Sequence, residues 1–502
     1  MDKSAVIIML GRFLQALFGI VALRLLTTFL SPGEVGNVYL IMAFAAGFSF
    51  FLINPVGMYI NRCLHSWQDE KSILKYFSLM NIYVALVSLL AILGVFVARY
   101  FLGVGSGMSF VFFALIVATY LYSNTWNMTL IPGLNLLGYR VIFVICSVAT
   151  SFGALALSLL FILTISPSSL YWMMGQTGAM LLMAVIALVV LKKTSGENFN
   201  NFFKWFLSLN KKFFRSLISF SGPLAGATLF MWFQTQSYRI LVEKLLGASF
   251  LGFLAVGLGI ALSLSAVIES LIQQIYFPGF YKKISNGNPE EKRLAFAELI
   301  EKAMPIYIIL LVFTVSLASH FTVVLVDNKF QSAAYFVAFG AIIEFLRSSA
   351  NIFSASAHAE MRTKVLIKPY LFGGIFTFIA VYYACISNYK ETLIPMAMIA
   401  GGLITFIGMK NVVSQLYPVT VNYKVMVKTI LISSIFLFFL LFDNESGSLI
   451  FSLCILALAG VCFLVLAYVA TFYFSKNDSL HLFLKKIKGK WVNEFGNFGG
   501  RY

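Results

Sequence analysis

From residue 5 to residue 474 the chain alternates long stretches almost free of polar residues with short polar turns. Fourteen such stretches read as helical spans, at 5–30, 37–61, 76–102, 109–131, 140–164, 168–191, 217–243, 249–276, 303–326, 332–355, 366–386, 392–410, 427–442 and 448–474. A hydrocarbon core of about 30 Å needs roughly 20 apolar residues in a helix. Within it a single segment satisfies its backbone only as a helix. The pattern predicts an all-α, polytopic membrane protein. The longest polar interruption before the tail, 192–216, separates six spans from the next six, and two more follow. The expected units are an N-terminal six-helix bundle at 1–191, a linker at 192–216, a second bundle at 217–414, two extra helices at 415–475 and a basic tail at 476–502. In the linker Phe199, Phe202, Phe203, Phe206, Leu209 and Phe213 share one arc, with Asn201, Lys204, Ser208, Lys211 and Lys212 opposite. That is the pattern of a helix lying on an anionic inner leaflet. Residues 480–491, with Lys485, Lys486, Lys488 and Lys490, read as a second surface contact.

Composition agrees: 60% of the 502 residues are hydrophobic and only 11% charged, with a mean hydropathy of +0.91. A soluble protein carries about 25% charged residues. The net charge of +17 is distributed by topology. With the N-terminus inside, 28 of the 36 Lys and Arg lie on inner segments, four on outer ones and four within spans. This is the positive-inside rule and puts both termini in the cytoplasm. It speaks for anionic lipid and against nucleic acid. The first apolar stretch lacks a basic n-region and is too long for a leader, so it reads as the first span. Five cysteines show no ligand spacing, and no metal or cofactor is expected. Nearly all outer loops are under ten residues, and the inner loops hold no phosphate cradle, paired-His motif or nucleophile elbow. The expectation is a transporter without catalytic residues.

The polar groups left inside the spans carry the functional reading. Arg12, Arg24, Arg239 and Arg347 are intramembrane arginines, and the first six spans hold no buried carboxylate to match them. Such charges usually face a partner or a wet cavity, so the pattern predicts a lumen that leans positive and an anionic cargo. Arg12 and Arg24 stand about 18 Å apart on span one. Either they line the lumen or each snorkels to its own headgroup layer. In span seven Gln236, Arg239 and Glu243 share a face, and Arg239 and Glu243 are spaced to neutralise each other. Glu269 in span eight has no cation on its own helix and is a candidate for ion coupling, as is Glu344. Glu344, Arg347, Ser348 and Asn351 share one face of span ten. The candidate substrate-binding residues are thus Arg12, Arg24, Gln236, Arg239, Arg347 and Asn351. Lesser features are a bend at Asn54-Pro55, Asn124, Trp126 and Asn127 as interfacial anchors or sugar contacts, and His320 as a packed or surface residue before a relay.

Two arginines also mark an internal repeat. Arg24-Leu25-Leu26, a turn at 31–34 and Val35-Gly36 correspond to Arg239-Ile240-Leu241, a turn at 246–249 and Leu251-Gly252. Spans one and seven cross in the same direction, which implies a two-fold axis along the membrane normal with the cargo site between the halves.

With Gly11-Arg12, the run from Arg24 to Tyr39 and the six-plus-six-plus-two layout, the chain resembles the polysaccharide-unit (O-antigen) flippases of the multidrug/oligosaccharidyl-lipid/polysaccharide exporter superfamily. The resemblance implies a MATE-like fold in a bacterial inner membrane. It implies alternating access that moves undecaprenyl-pyrophosphate-linked oligosaccharide outward, with pyrophosphate or acidic sugars on lumen arginines. It also implies H+ or Na+ as a coupling ion, and polysaccharide-assembly membrane proteins as partners. The family commonly places cations on spans two and eight, where this chain has only Arg62 and Glu269. A multidrug exporter of the same fold would use carboxylates in the first half. A glycan polymerase or ligase would carry a sizeable outer loop. A peptidoglycan-precursor flippase is the nearer alternative.

Overall fold

The computed structural model describes residues 3–195, 211–360, 362–417, 423–442 and 448–474. The interfacial helix expected around 199–209 and the surface segment 480–491 lie outside the described residues. Those described are almost wholly helical. The first half comprises α1 (Lys3–Phe29), α2 (Pro32–Phe48), α3 (Asn54–Asp69), α4 (Ile73–Leu102), α5 (Phe110–Leu136), α6 (Arg140–Thr164) and α7 (Ser169–Ser195). The second comprises α8 (Lys211–Thr235), α9 (Ser237–Leu246), α10 (Ala248–Asn286), α11 (Pro289–Ser316), α12 (Ala318–Leu325), α13 (Ala334–Ala359), α14 (Ile367–Ile386) and α15 (Lys390–Leu416). Then come α16 (Tyr423–Ser433), continued by a 3-10 segment Ser434–Phe442, and α17 (Leu449–Phe474).

Thirteen of the helical segments are long and apolar enough to cross a bilayer. The fourteenth expected span, α5, falls outside that set because Ser123, Asn124, Thr125, Asn127 and Thr129 interrupt its inner half. It packs on α2, α4, α6 and α7. Asn127 bonds to Thr150 and to the Met180 carbonyl. This is interhelical packing, neither of the two roles expected. The bend at Asn54-Pro55 is real and takes the form of a π turn over Ser49–Ile53, since Pro55 has no N–H to donate to the helix before it. Of the two placements left open for His320 the structure has the packed one: it is buried and bonds to Ser452 on α17.

The repeat is visible in which helix packs on which. In the first half α1 lies on α6, α6 on α7, α7 on α5, and α5 on α4. In the second α8 lies on α14, α14 on α15, α15 on α13, and α13 on α11. The pair α2 and α10 joins the halves around the pseudo-two-fold axis. At their outer ends Gly36 and Gly252 meet. A Cβ on Gly36 would strike the Ala248 carbonyl, and one on Gly252 would strike the Pro32 carbonyl. Only glycine permits this approach, and the reciprocal contact is what a two-fold axis requires. The final helices, α16 and α17, pack against α11.

Candidate functional site

Span seven is not one helix. It breaks at Gln236, whose φ of −129° and ψ of −27° separate α8 from α9. The break turns Tyr238 and Arg239 into the protein. Arg239 is only 7% exposed. Its guanidinium stands 5.0 Å from the Tyr39 ring of the opposite half and 5.7 Å from the Tyr238 ring, and Nε donates to Tyr238 Oη at 3.2 Å. Two aromatic faces stabilise the cation without neutralising it. The expected pairing with Glu243 is not made. Glu243, on the same helix, instead meets the loop of the first half, where Gly105 N–H donates to both carboxylate oxygens at 3.0 and 3.1 Å. No carboxylate among the described residues lies within ion-pair reach of Arg239. Beside it Gln236 Oε1 is buried without a donor. Arg239, Gln236, Gln234, Thr235, Glu344 and Arg347 all line one cavity of about 210 Å³, to which the first half contributes Phe50.

The far wall is an ion cluster. Arg347 Nε donates to Glu344 at 2.7 Å, and its Nη2 donates to Glu269 on α10 at 2.8 Å. Asn351 Nδ2 donates to the second Glu269 oxygen at 2.8 Å. Glu269 therefore has its cation, supplied across the helix interface and not along its own span. The positive lumen expected from the sequence needs correcting accordingly. With every group ionised, Arg239, Arg347, Glu269 and Glu344 carry two charges of each sign, and the excess cation is local to Arg239.

Arg24 and Arg12 lie elsewhere. Arg24 donates to the carbonyls of Val323, at 3.1 Å, and Val326. It thereby caps the C-terminal end of α12, where carbonyls lack helical partners and a cation is favoured. Alongside, Asp327 N–H donates to Thr27 Oγ1 at 3.1 Å and Lys329 Nζ to the Thr28 carbonyl at 2.9 Å. The Glu243–Gly105 contact is the repeat counterpart of this dock. Together the two docks join the halves beside the α1–α2 and α9–α10 turns. Arg12 is exposed, bonded to Gln15 Oε1 at 3.1 Å and 5.5 Å from the Phe143 ring. We expect Arg24→Gln to raise labelling of a cysteine at Val326 by an outside thiol reagent about five-fold, about 1 kcal/mol of lost closure. Unchanged labelling would show that the dock does not hold the gate.

Sequence reading missed Tyr39, Tyr238 and Gln234. The one available signal was a tyrosine directly preceding a buried arginine. Among the described residues no cluster of His, Cys, Asp and Glu could hold a metal.

No curated protein sequence matches the chain. Among solved structures it is similar to the lipid II flippase MurJ in an inward closed conformation. That likeness has a TM-score of 0.68 and 14% identity, and covers 93% of this chain and 98% of that one. Multidrug MATE transporters in inward-facing and outward-facing conformations follow. Their TM-scores are 0.53 and 0.51, each at 14% identity, covering 83% and 82% of this chain and 99% and 94% of theirs. At such identity the likeness establishes the fold, a MATE-like arrangement of two helical bundles. The model of a family described as polysaccharide biosynthesis protein matches residues 2–283, more than half of the sequence. The chain is thus a member of the polysaccharide biosynthesis protein family, built on the fold shared by MurJ and the MATE transporters.

Proposed function

We propose that this protein moves an oligosaccharide linked to undecaprenyl pyrophosphate across a bacterial inner membrane, with both termini cytoplasmic. The observation that carries this reading is Arg239: a buried guanidinium without a carboxylate, in a cavity lined by amide and hydroxyl groups. A pyrophosphate or acidic sugar supplies the missing anion through charge-assisted hydrogen bonds. The orphaned Gln236 Oε1 accepts from a sugar hydroxyl. The seams between the halves suit a lipid tail. On one side α8 packs along α3, with Tyr59 bonded to Ser216 and Ser221 to the Pro55 carbonyl. The counterpart seam, α1 against α10, has no comparable packing, and Leu10, Phe13, Leu14 and Leu17 of α1 are exposed. A polyprenyl chain can stay in lipid there while its head enters the cavity.

Export then needs the outer docks to part and the inner ends to close. A coupling proton or Na+ acts best at Glu269 or Glu344: neutralising either carboxylate loosens Arg347 and leaves a second cation for the cargo. The multidrug reading fits less well, since both carboxylates at the cavity are held by Arg347. A peptidoglycan-precursor flippase would use the same anion seat, and the cargo's glycan separates the two.

The test is surface-glycan display in a host lacking its own flippase, complemented at matched expression. Wild type should restore display. Arg239→Ala should lower it by about two orders of magnitude, the loss of one charge-assisted pair, and Arg239→Lys should retain part. Restoration by Arg239→Ala would remove the anion seat from the proposal. Rescue of a host lacking its peptidoglycan-precursor flippase would favour the alternative.

A further inference from the structure

The two bundles are not equally covered. In the second, α16 lies along α11, and Lys410 of α15 reaches the Tyr423 hydroxyl at 2.8 Å. Met426 of α16 belongs to one buried cluster with Phe296 and Met304 of α11, Phe353 of α13 and Met409 of α15. α11 and α15 both pack on α13 and leave a channel between them, and this helix borders it through its packing on α11. By the repeat, the same channel exists in the first half between α4 and α7 over α5. There, no described segment borders it in the place of α16. The asymmetry shows in burial: 72% of the apolar stretch of α11 is buried, against 33% of that of α4.

What remains is a groove of about 440 Å³, the roomiest of the cavities described, walled by Leu181, Val185 and Leu188 of α7 and floored by Asn81, Tyr122 and Trp126. Its floor is polar. Tyr122 Oη donates to Asn81 Oδ1 at 2.6 Å, which leaves the Asn81 amide N–H groups without an acceptor among the described residues. Asn81 is exposed and lines the groove. Asn81 is eight residues into α4, about 12 Å along the helix, deep enough that lipid tails meet it. Unpaired donors at that depth cost free energy that an acceptor on a neighbouring helix recovers.

We propose that this groove is the docking site for a transmembrane helix supplied by another membrane protein, apolar along its length and carrying one hydrogen-bond-accepting side chain at the level of Asn81. The chain itself shows that this side of a bundle takes a helix, because α16 lies along α11, the counterpart of α4. The hydrogen-bonding demand distinguishes the occupant from a lipid tail, which would fill the space and leave the donors unanswered. Docking on α4, α5 and α7 leaves the α1–α10 seam free, so it is compatible with transport.

The test uses the full chain with its five native cysteines replaced, Val185→Cys carrying a fluorophore, reconstituted in phospholipid vesicles. The probes are two synthetic 22-residue Leu/Ala helices, one with a central Asn and one with Leu in its place. The Asn helix should give saturable energy transfer, binding about five-fold tighter than the Leu helix. Asn81→Leu should remove that preference. Leu188→Trp, which fills the groove, should abolish binding by both while elution and glycan display stay as in wild type. Equal transfer from both helices, or transfer that survives Leu188→Trp, overturns the proposal. So does energy transfer between two labelled copies without probe, which would make the occupant a second copy. A phospholipid that native mass spectrometry finds bound, lost with Leu188→Trp and not displaced by the Asn helix, overturns it in favour of lipid.

Discussion

Arg347→Ala should be the most damaging single substitution in this chain, abolishing transport and lowering stability together. Arg347 pairs with both Glu269 and Glu344, at 2.8 and 2.7 Å. Removing one partner of a buried ion pair leaves the other charged group uncompensated, and here it leaves two. The cost is about 3 kcal/mol, the low end for buried pairs, because a quarter of the Arg347 side chain remains exposed. Three variants separate stability from function. Arg347→Ala should unfold several degrees lower in detergent and fail to support glycan display. Arg347→Ala combined with Glu269→Gln and Glu344→Gln should recover the melting temperature, since neutral amides replace stranded carboxylates, and still fail to transport. Arg347→Lys should keep much of the stability but lose the two-sided geometry, as an ammonium cannot present a planar fork to both carboxylates. A triple variant that transports normally would show that the cluster only holds helices together.

The contrast between what could be read from the chain and what could not is clear at these residues. Glu344, Arg347 and Asn351 are spaced to share a face, and they do so because periodicity is a local property. The partner of Arg347 across the interface, Glu269, is 78 residues away, and nothing along α10 announces it. The i,i+4 spacing of Arg239 and Glu243 suggested a pair that does not form although both lie on α9, because each meets a different partner in the first half, the Tyr39 ring and the Gly105 N–H. Arg24 looked like a lumen residue because its partners are backbone carbonyls of Val323 and Val326, which have no signature in sequence. The repeat was legible, since both segments keep the arginine and the glycine, Gly36 and Gly252, that the close approach of α2 and α10 requires. Ser31 and Pro32 mark the α2 start as an N-cap followed by proline. The asymmetry that opens one seam and one groove was not legible. It arises from how two similar bundles are docked and from where α16 comes to rest.

The second large effect is expected at Gly252. The outer ends of α2 and α10 approach until a Cβ at either glycine would meet a backbone carbonyl of the other half. A carbonyl cannot change rotamer to make room, so Gly252→Val must push the two helices apart. Overpacking of this kind costs about 1–3 kcal/mol, but the strain falls on one contact, and a transporter can relieve it by leaving the closed state altogether. If that contact closes the outer side, as the docks of Arg24 and Glu243 beside it indicate, the variant is held with its outer side open. Val35, fully buried here, then becomes accessible. A cysteine at that position, in a background without the native five, should be silent to an impermeant thiol reagent in the wild-type frame and react in the Gly252→Val frame. Glycan display should fall by more than ten-fold, about the effect of 1.4 kcal/mol on a two-state equilibrium. Gly36→Val should do the same, because the repeat makes the two positions equivalent. Loss of display without labelling would mean that the substitution damages folding, and full display with labelling would mean that closure at this contact is not part of the transport cycle.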